Sequence, residues 1–257
     1  MRVLITGAAS GFGQAVAAAL KARGENVRGL DIREAPDVIR ADIRDGDQTT
    51  AAVERAIEEL GGLDILINNA GIGEPTFTGA TPNEIVSSII ETNLLGTWRV
   101  TAAALPSLLE SRGRVVNVSS ALAFVNLPFA VAYTASKRGV AAYSDALRLE
   151  HGDRIKVTTV YPGYVRTPIH ARSEELGLSL GDYVPADPIE GVMGAILRAC
   201  YSARPRRDVA TSFLTRSGIF WARHFPGLSD RVVRYRMAKH MAALVSVPAP
   251  GESSPPR

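Results

Sequence analysis

The sequence predicts an α/β fold, a doubly wound parallel sheet forming one domain with a helical appendage at its C-terminal end. Three observations lead there. Short β-rich runs alternate with longer segments of helical period from residue 1 to about residue 161, the pattern of βαβ units with helices on both faces of a parallel sheet. A glycine-rich turn joins the first run to the first helical segment. The length, 257 residues with 46% hydrophobic and 21% charged side chains, suffices for one large core and excludes a disordered, collagenous or coiled-coil chain.

The expected strands are 2–6 (RVLIT), 27–30 (VRGL), 38–41 (VIRA), 63–67 (LDILI), 113–119 (GRVVNVS) and 155–161 (IKVTTVY). Between them, Phe12, Val16 and Leu20 recur on one helical face, as do Val53, Ile57 and Leu60. Only residues 31–37 separate the second strand from the third, so no helix is expected there. Thr81-Pro82 and Asp187-Pro188-x-Glu190 read as helix starts, each an N-cap followed by proline at the first helical position. Long helices are expected over 82–111 and 131–151. The segment 164–186, rich in Gly, Pro, Ser and Thr, lies beyond the sixth strand, where an open α/β sheet carries a ligand lid. Residues 207–211 read as a short seventh strand and 246–257 as a disordered tail.

Composition narrows the class further. A single cysteine, Cys200, cannot form an internal disulfide, and no Cys/His set has zinc spacing, so no metal is expected and a reducing, cytoplasmic compartment is. A β-type run begins at once after Met1 and no uncharged apolar stretch reaches the roughly 18 residues of a membrane span, so neither a leader nor an integral segment is expected. The formal charge of +3 hides an asymmetry: residues 1–200 carry net −4 and residues 201–257 net +7. That basic end lacks any helix-turn-helix, zinc-finger or aromatic RNA-binding pattern, which argues against a nucleic-acid partner.

The turn itself is Thr6-Gly7-Ala8-Ala9-Ser10-Gly11-Phe12-Gly13. Glycines there let the backbone bend tightly and approach a pyrophosphate, which the free N–H groups of the helix start attract. The spacing, Gly-x3-Gly-x-Gly, resembles that of the short-chain dehydrogenase/reductase family. Asn68-Asn69-Ala70-Gly71, Asn93, Ser120, Tyr133-x3-Lys137 and Pro162-Gly163 follow in the family's order, spanning residues 1–170. The resemblance implies a Rossmann fold, a nicotinamide cofactor and alcohol/ketone oxidoreduction.

Under that resemblance the cofactor is held by Gly7, Ser10, Gly11, Phe12 and Gly13 at the turn, and by Asn69, Ala70 and Gly71 after the fourth strand. Asp31-Ile32 closes the second strand. A carboxylate there accepts hydrogen bonds from the adenosine ribose and repels a 2′-phosphate, which assigns NAD, although Arg33 two residues on offsets part of the repulsion. Asp42 and Ile43 are expected at the adenine, with Ile43 against the ring. Pro162, Gly163, the Val165 backbone and the Thr167 hydroxyl are expected at the nicotinamide.

Tyr133 and Lys137, at i and i+4 on a helix, project from one face. A phenol is a poor base at neutral pH unless a neighbouring cation stabilises its anion. The pair therefore reads as the general acid/base, with Lys137 also on the cofactor ribose by resemblance. Ser120 is expected to steady the substrate oxygen and Ser119 to turn toward the sheet, and the resemblance implies that Asn93, rather than being merely a packed polar residue, supports a proton relay. A second Tyr-x3-Lys match, Tyr235 and Lys239, has no strand-end serine before it and reads as a helix-face coincidence.

Residues 121–132 carry no charge, so Leu122, Phe124 and Leu127, with Tyr164, are the expected substrate contacts and the substrate a hydrophobic alcohol or ketone of steroid, retinoid, terpenoid or lipid-like type. The competing class is a catalytically silent NAD(H) sensor, which needs no complete catalytic set. The resemblance implies a homodimer or homotetramer paired through the long helices, although the family's Asp-Gly-Gly near the last strand is missing. The chain is accordingly expected to divide into a catalytic domain over 1–211, a basic amphipathic extension over 212–245 similar to that of some steroid- and retinoid-type members, and the tail. The extension is expected to shape the pocket or an interface, with anionic lipid as the alternative.

Overall fold

A computed structural model of the chain describes residues 1–167, 169, 175 and 186–244. The first half runs β1 (Arg2–Thr6), α1 (Gly11–Lys21), β2 (Asn26–Asp31), β3 (Val38–Arg40), α2 (Gly46–Leu60), β4 (Ile65–Asn68), α3 (Glu84–Ile90), a π-helical segment (Glu91–Gly96) and α4 (Thr97–Ser111). The second half runs β5 (Arg114–Val118), a 3-10 turn (Ala121–Ala123), α5 (Val131–His151), β6 (Lys156–Tyr161), α6 (Ile189–Tyr201), β7 (Asp208–Ala210), α7 (Phe213–His224) and α8 (Pro226–Leu244).

The strands form one sheet in the order β3-β2-β1-β4-β5-β6-β7, and every pairing is parallel, as Val3 opposite Val27 and Ile5 opposite Ile67 illustrate. Alternation along the strands divides the core. Leu4, Leu30, Leu66, Val115 and Val157 face α2 and α4, while Val3, Ile5, Ile67, Val116 and Val160 face α1 and α6. Both faces are thus apolar and covered, as a parallel sheet requires. The predicted doubly wound architecture is the one observed.

Local starts differ in two places. The helix expected from Thr81-Pro82 begins at Glu84, because the Asn83 side chain accepts from the N–H groups of Ile85 and Val86 and so caps it. Asp187 does not cap α6; Pro188 occupies the cap position without a side-chain bond and the Asp187 carboxylate is used elsewhere. The expected helix over 82–111 is present but carries the π-helical turn in its middle. As expected, residues 32–37 form a loop without a helix. The predicted lid, 164–186, is described only at 164–167, 169, 175 and 186, and the predicted tail lies outside the described residues.

Strand order reverses between β1 and β4, which opens a crevice beyond their carboxyl ends. Thr6 closes its floor: its hydroxyl oxygen accepts from the N–H groups of Asn69 (3.1 Å) and Ala70 (3.0 Å), while Asn69 Nδ2 donates to the Thr6 carbonyl at 3.1 Å. The glycine turn packs onto this joint. Gly7 has φ +69°, and a Cβ on Gly13 would lie 2.0 Å from the Gly7 carbonyl oxygen. At Gly11, φ is +53° but a Cβ would meet nothing within 4 Å. Gly13→Ala is therefore expected to cost about 3 kcal/mol or more by overpacking, and Gly11→Ala only about 1 kcal/mol of backbone strain. Urea denaturation of the two variants measures both.

Candidate active site

The carboxyl end of β5 and the first turns of α5 bring the expected catalytic side chains together. Ser119 and Ser120 point to opposite sides of the extended chain. The Ser119 hydroxyl donates to the Lys137 carbonyl at 2.8 Å, tying α5 to the strand end. Ser120 Oγ accepts from Leu122 N–H at 3.2 Å and also partners the Tyr133 phenol. Lys137, buried at 3% exposure, donates from Nζ to the Val118 carbonyl at 3.0 Å and lies 5.8 Å from the centre of the Tyr133 ring.

Asn93 sits in the π-helical turn, a distortion that places a side chain where a regular α-helix would not. Its Oδ1 accepts from Ile72 N–H at 2.8 Å, and its Nδ2 donates to the Ile72 carbonyl at 2.9 Å and to Ser136 Oγ at 3.0 Å. Ser136 in turn donates to the Tyr133 carbonyl at 2.7 Å. Asn93 thereby pins the loop after β4 to the helix bearing Tyr133. A Cβ on Gly71 would lie 3.2 Å from both Asn93 Oδ1 and Lys137 Nζ, so this loop passes directly over the pair.

Burial sets the electrostatics. Desolvation pushes the Tyr133 phenol up to about 12, with the Ser120 hydrogen bond acting the other way, and pulls the Lys137 ammonium down to about 8. Near neutral pH the phenol therefore holds its proton and the lysine carries its charge. This is a proton donor beside a cation able to stabilise the anion left behind.

The glycine turn expected to cradle the dinucleotide lies along the crevice. A Cβ on Gly7 or Gly13 would strike the chain itself, at Ala70 and at the Gly7 carbonyl, so the turn is packed close, whereas Gly11 borders open space where the backbone can face a pyrophosphate. The N–H groups at the start of α1 end this turn, where Ser10 is extended and makes no cap bond. Phe12 packs into the core below α1. Asp31 is buried at the end of β2, its Oδ2 accepting from Ala9 N–H and its Oδ1 from Arg33 N–H, both at 3.0 Å. The Arg33 guanidinium reaches Ser10 Oγ at 2.5 Å and lies 3.5 Å from Asp31.

Beside it, a hollow of about 310 Å³ is lined by Ile32, Arg40, Ala41, Asp42, Arg44 and Gln48. Here the placement differs from expectation. Ile43 is buried in the core, with its side chain in the space a Cβ on Gly96 would need, and the exposed apolar side chain at the hollow is Ile32. Asp42 is clamped by Arg44 at 2.6 Å, which holds its carboxyl below the usual range.

After β6, Pro162, Tyr164 and Val165 are buried and Gly163 and Thr167 half-buried. Three residues that the sequence pattern does not place at the site brace this segment. Asp187 Oδ2 accepts from Thr211 Oγ1 (2.7 Å) and Thr215 Oγ1 (3.0 Å), and Gly163 N–H donates to Thr211 Oγ1 at 3.2 Å. A Cβ on Gly163 would lie 2.5 Å from Thr215 Oγ1. On the substrate side, Leu122 and Leu127 are half-buried. Phe124 is instead sandwiched between the Tyr161 ring (5.4 Å) and the Arg223 guanidinium (4.5 Å), beneath α7.

Fold and site together define a dinucleotide-binding oxidoreductase of the doubly wound class. The family model for short chain dehydrogenase matches residues 1–176, and the chain belongs to that family. It is 37% identical over 172 residues to 3-ketodihydrosphingosine reductase of Bacteroides thetaiotaomicron, covering 64% of each chain. It is 30% identical over 262 residues to dehydrogenase/reductase SDR family member 7B of Mus musculus, covering 92% of this chain and 81% of that one. A short-chain dehydrogenase structure from Streptomyces avermitilis superimposes with TM-score 0.75 at 27% identity, covering 94% of this chain and 98% of the other. One from Burkholderia cenocepacia in complex with NADP shares the fold, with TM-score 0.76 at 24% identity over 90% of this chain and 96% of that one.

Two consequences are measurable. Because the Lys137 pKa falls from 10.5 to about 8 on folding, the unfolded chain holds that proton more tightly, and the cost of burying the charge is present below pH 8 and fades as pH rises to 10.5. Lys137→Met is expected to stabilise the fold near pH 7 by up to about 3 kcal/mol, less about 1 for the lost hydrogen bond. The gain shrinks toward pH 10 in paired denaturation curves. Asp187→Ala is expected to cost about 1–3 kcal/mol by stranding two hydroxyls, and Asp187→Asn, which keeps an acceptor oxygen, to recover part of it in the same assay.

Proposed function

We propose that the protein is an NAD(H)-dependent oxidoreductase interconverting a secondary alcohol and a ketone on a hydrophobic, lipid-like substrate. The observation that carries this reading is the convergence of Ser120, Tyr133 and Lys137 beside a glycine-lined cradle at the strand-order reversal. In the reductive direction the Tyr133 phenol gives its proton to the substrate oxygen, and Ser120 donates a hydrogen bond to the same atom. Lys137, charged below about pH 8, stabilises the phenolate that remains. Asn93 holds the loop and helix that carry these groups. A nicotinamide dinucleotide, when bound, supplies or accepts the hydride. Gly7, Ser10, Gly11, Phe12, Gly13, Asp31, Asn69, Ala70 and Gly71 hold it on one side, and Pro162, Gly163, Val165 and Thr167 on the other.

The hydrophobic substrate class is supported by the uncharged rim at Leu122 and Leu127 and by the likeness to a 3-ketodihydrosphingosine reductase. The choice of NAD rests on Asp31, whose buried carboxylate two backbone N–H groups fix in place. Residues 1–211 carry the groups named above, and two copies pair through α4 and α5, where Trp98 and Leu149 are 55% and 90% exposed. Among the described residues no helix is long and apolar enough to cross a membrane.

A panel of long-chain and cyclic ketones, short polar ketones and sugars, assayed by NADH oxidation, tests the reading. Turnover is expected with the hydrophobic ketones, and Tyr133→Phe is expected to lower kcat at least about 100-fold with NADH binding retained. Activity confined to sugars overturns the substrate class. Asp31→Ala is expected to raise the NADPH/NADH ratio of kcat/KM at least about tenfold, and an unchanged ratio overturns the cofactor assignment.

A further inference from the structure

The two C-terminal helices each bury one face and present another that is also apolar. On α7, Thr215 and Ala222 are buried and Ile219 packs against Ala123 and Tyr161. The opposite side carries Phe213 and Phe220, seven residues apart, and Leu214 and Trp221, again seven apart, at 85%, 51%, 58% and 49% exposure. On α8, Met237 is buried at 1%, while Leu228, Val232 and Tyr235, at i, i+4 and i+7, are 52%, 46% and 86% exposed. The Trp221 and Phe225 rings, 4.9 Å apart, extend the outward side of α7 to its C-cap, just before α8 begins. A helix in a soluble domain ordinarily has one apolar stripe, turned to the core. Here the outward stripes are rimmed by guanidinium groups, Arg216 beside the first and Arg231 beside the second, both exposed.

The geometry points to a membrane-docking face on α7 and α8 whose occupant is an anionic lipid surface. Residues 212–244 hold six Lys/Arg and one acid, Asp230. An apolar face with aromatic side chains and a cationic border matches the headgroup boundary of such a bilayer, where apolar groups sink in and arginines meet phosphates. A second copy fits worse, because a two-fold interface would set one basic rim against another. Nucleic acid fits worse still, since the stripe between the arginines is apolar. The docking face is independent of the reaction assigned above. It lies on the reverse of α7, the helix whose inner side covers the turn after Ser120.

The test uses the full chain in flotation with vesicles of phosphatidylcholine alone or mixed with phosphatidylglycerol. Binding is expected to the mixed vesicles only and to weaken as salt rises. Phe213→Ser/Tyr235→Ser and Arg216→Gln/Arg231→Gln are each expected to lower partitioning about tenfold or more, with unchanged melting and NADH oxidation. Absence of binding by the wild-type chain, or equal binding to neutral vesicles, overturns the proposal without any variant. So does loss of self-association in Phe213→Ser/Tyr235→Ser, read by sedimentation velocity, with no vesicle binding by wild type, which would assign the face to a second copy.

Discussion

The Thr6 hydroxyl is the joint on which the site depends. It receives the backbone N–H groups of both Asn69 and Ala70, so the ends of β1 and β4 are locked in register at the one place where neighbouring strands lead in opposite directions. With those ends fixed, the glycine turn has a floor. The Asn69 amide completes it from the side by bonding the Thr6 carbonyl, and the loop beyond Gly71 is delivered over Lys137 and Asn93. A sheet of seven parallel strands supplies rigidity; this joint converts it into a cleft with defined walls.

The second constraint is electrostatic and opposes the first energetically. A buried ammonium is costly, and the fold contains one at Lys137, which donates to the Val118 carbonyl. Desolvation governs its acidity, with no offsetting attraction from a carboxylate among the described residues. Such a group destabilises the fold while suiting it to hold charge beside a phenol. Ser119, Ser136 and Asn93 give this arrangement its stiffness, since each binds backbone on α5 or the β4 loop.

Much of this was legible in the sequence, for identifiable reasons. Strands and covering helices follow from period, and Tyr133, Lys137 and Ser120 from a family resemblance carried by motifs on elements whose type was readable. Asp187 shows where such reading stops: Asp-Pro-x-Glu is a good capping pattern, and only the tertiary neighbours Thr211 and Thr215, 24 and 28 residues away, claim the carboxylate instead. Ile43 turned inward and away from the hollow for a similar reason, because the space beside Gly96 is visible only once the π-helical turn has brought Gly96 to Ile43. That turn itself has no compositional mark beyond an asparagine in a helix interior. Thr81 lost the helix start to Asn83 by a two-residue margin of the kind that local cap chemistry decides.

The bracing of Gly163 has a consequence for modularity. Family resemblance draws a boundary near residue 211, which invites treating the C-terminal remainder as detachable. Yet Thr215, on the far side of that boundary, fills the space against Gly163 and shares Asp187 with Thr211, while Arg223 covers Phe124. A chain cut at 211 would lose the side chains that brace Gly163 and cover Phe124 along with the appendage. The extension is better regarded as a packed layer of the same domain, so exchanging it between relatives would also change what supports the segment after β6.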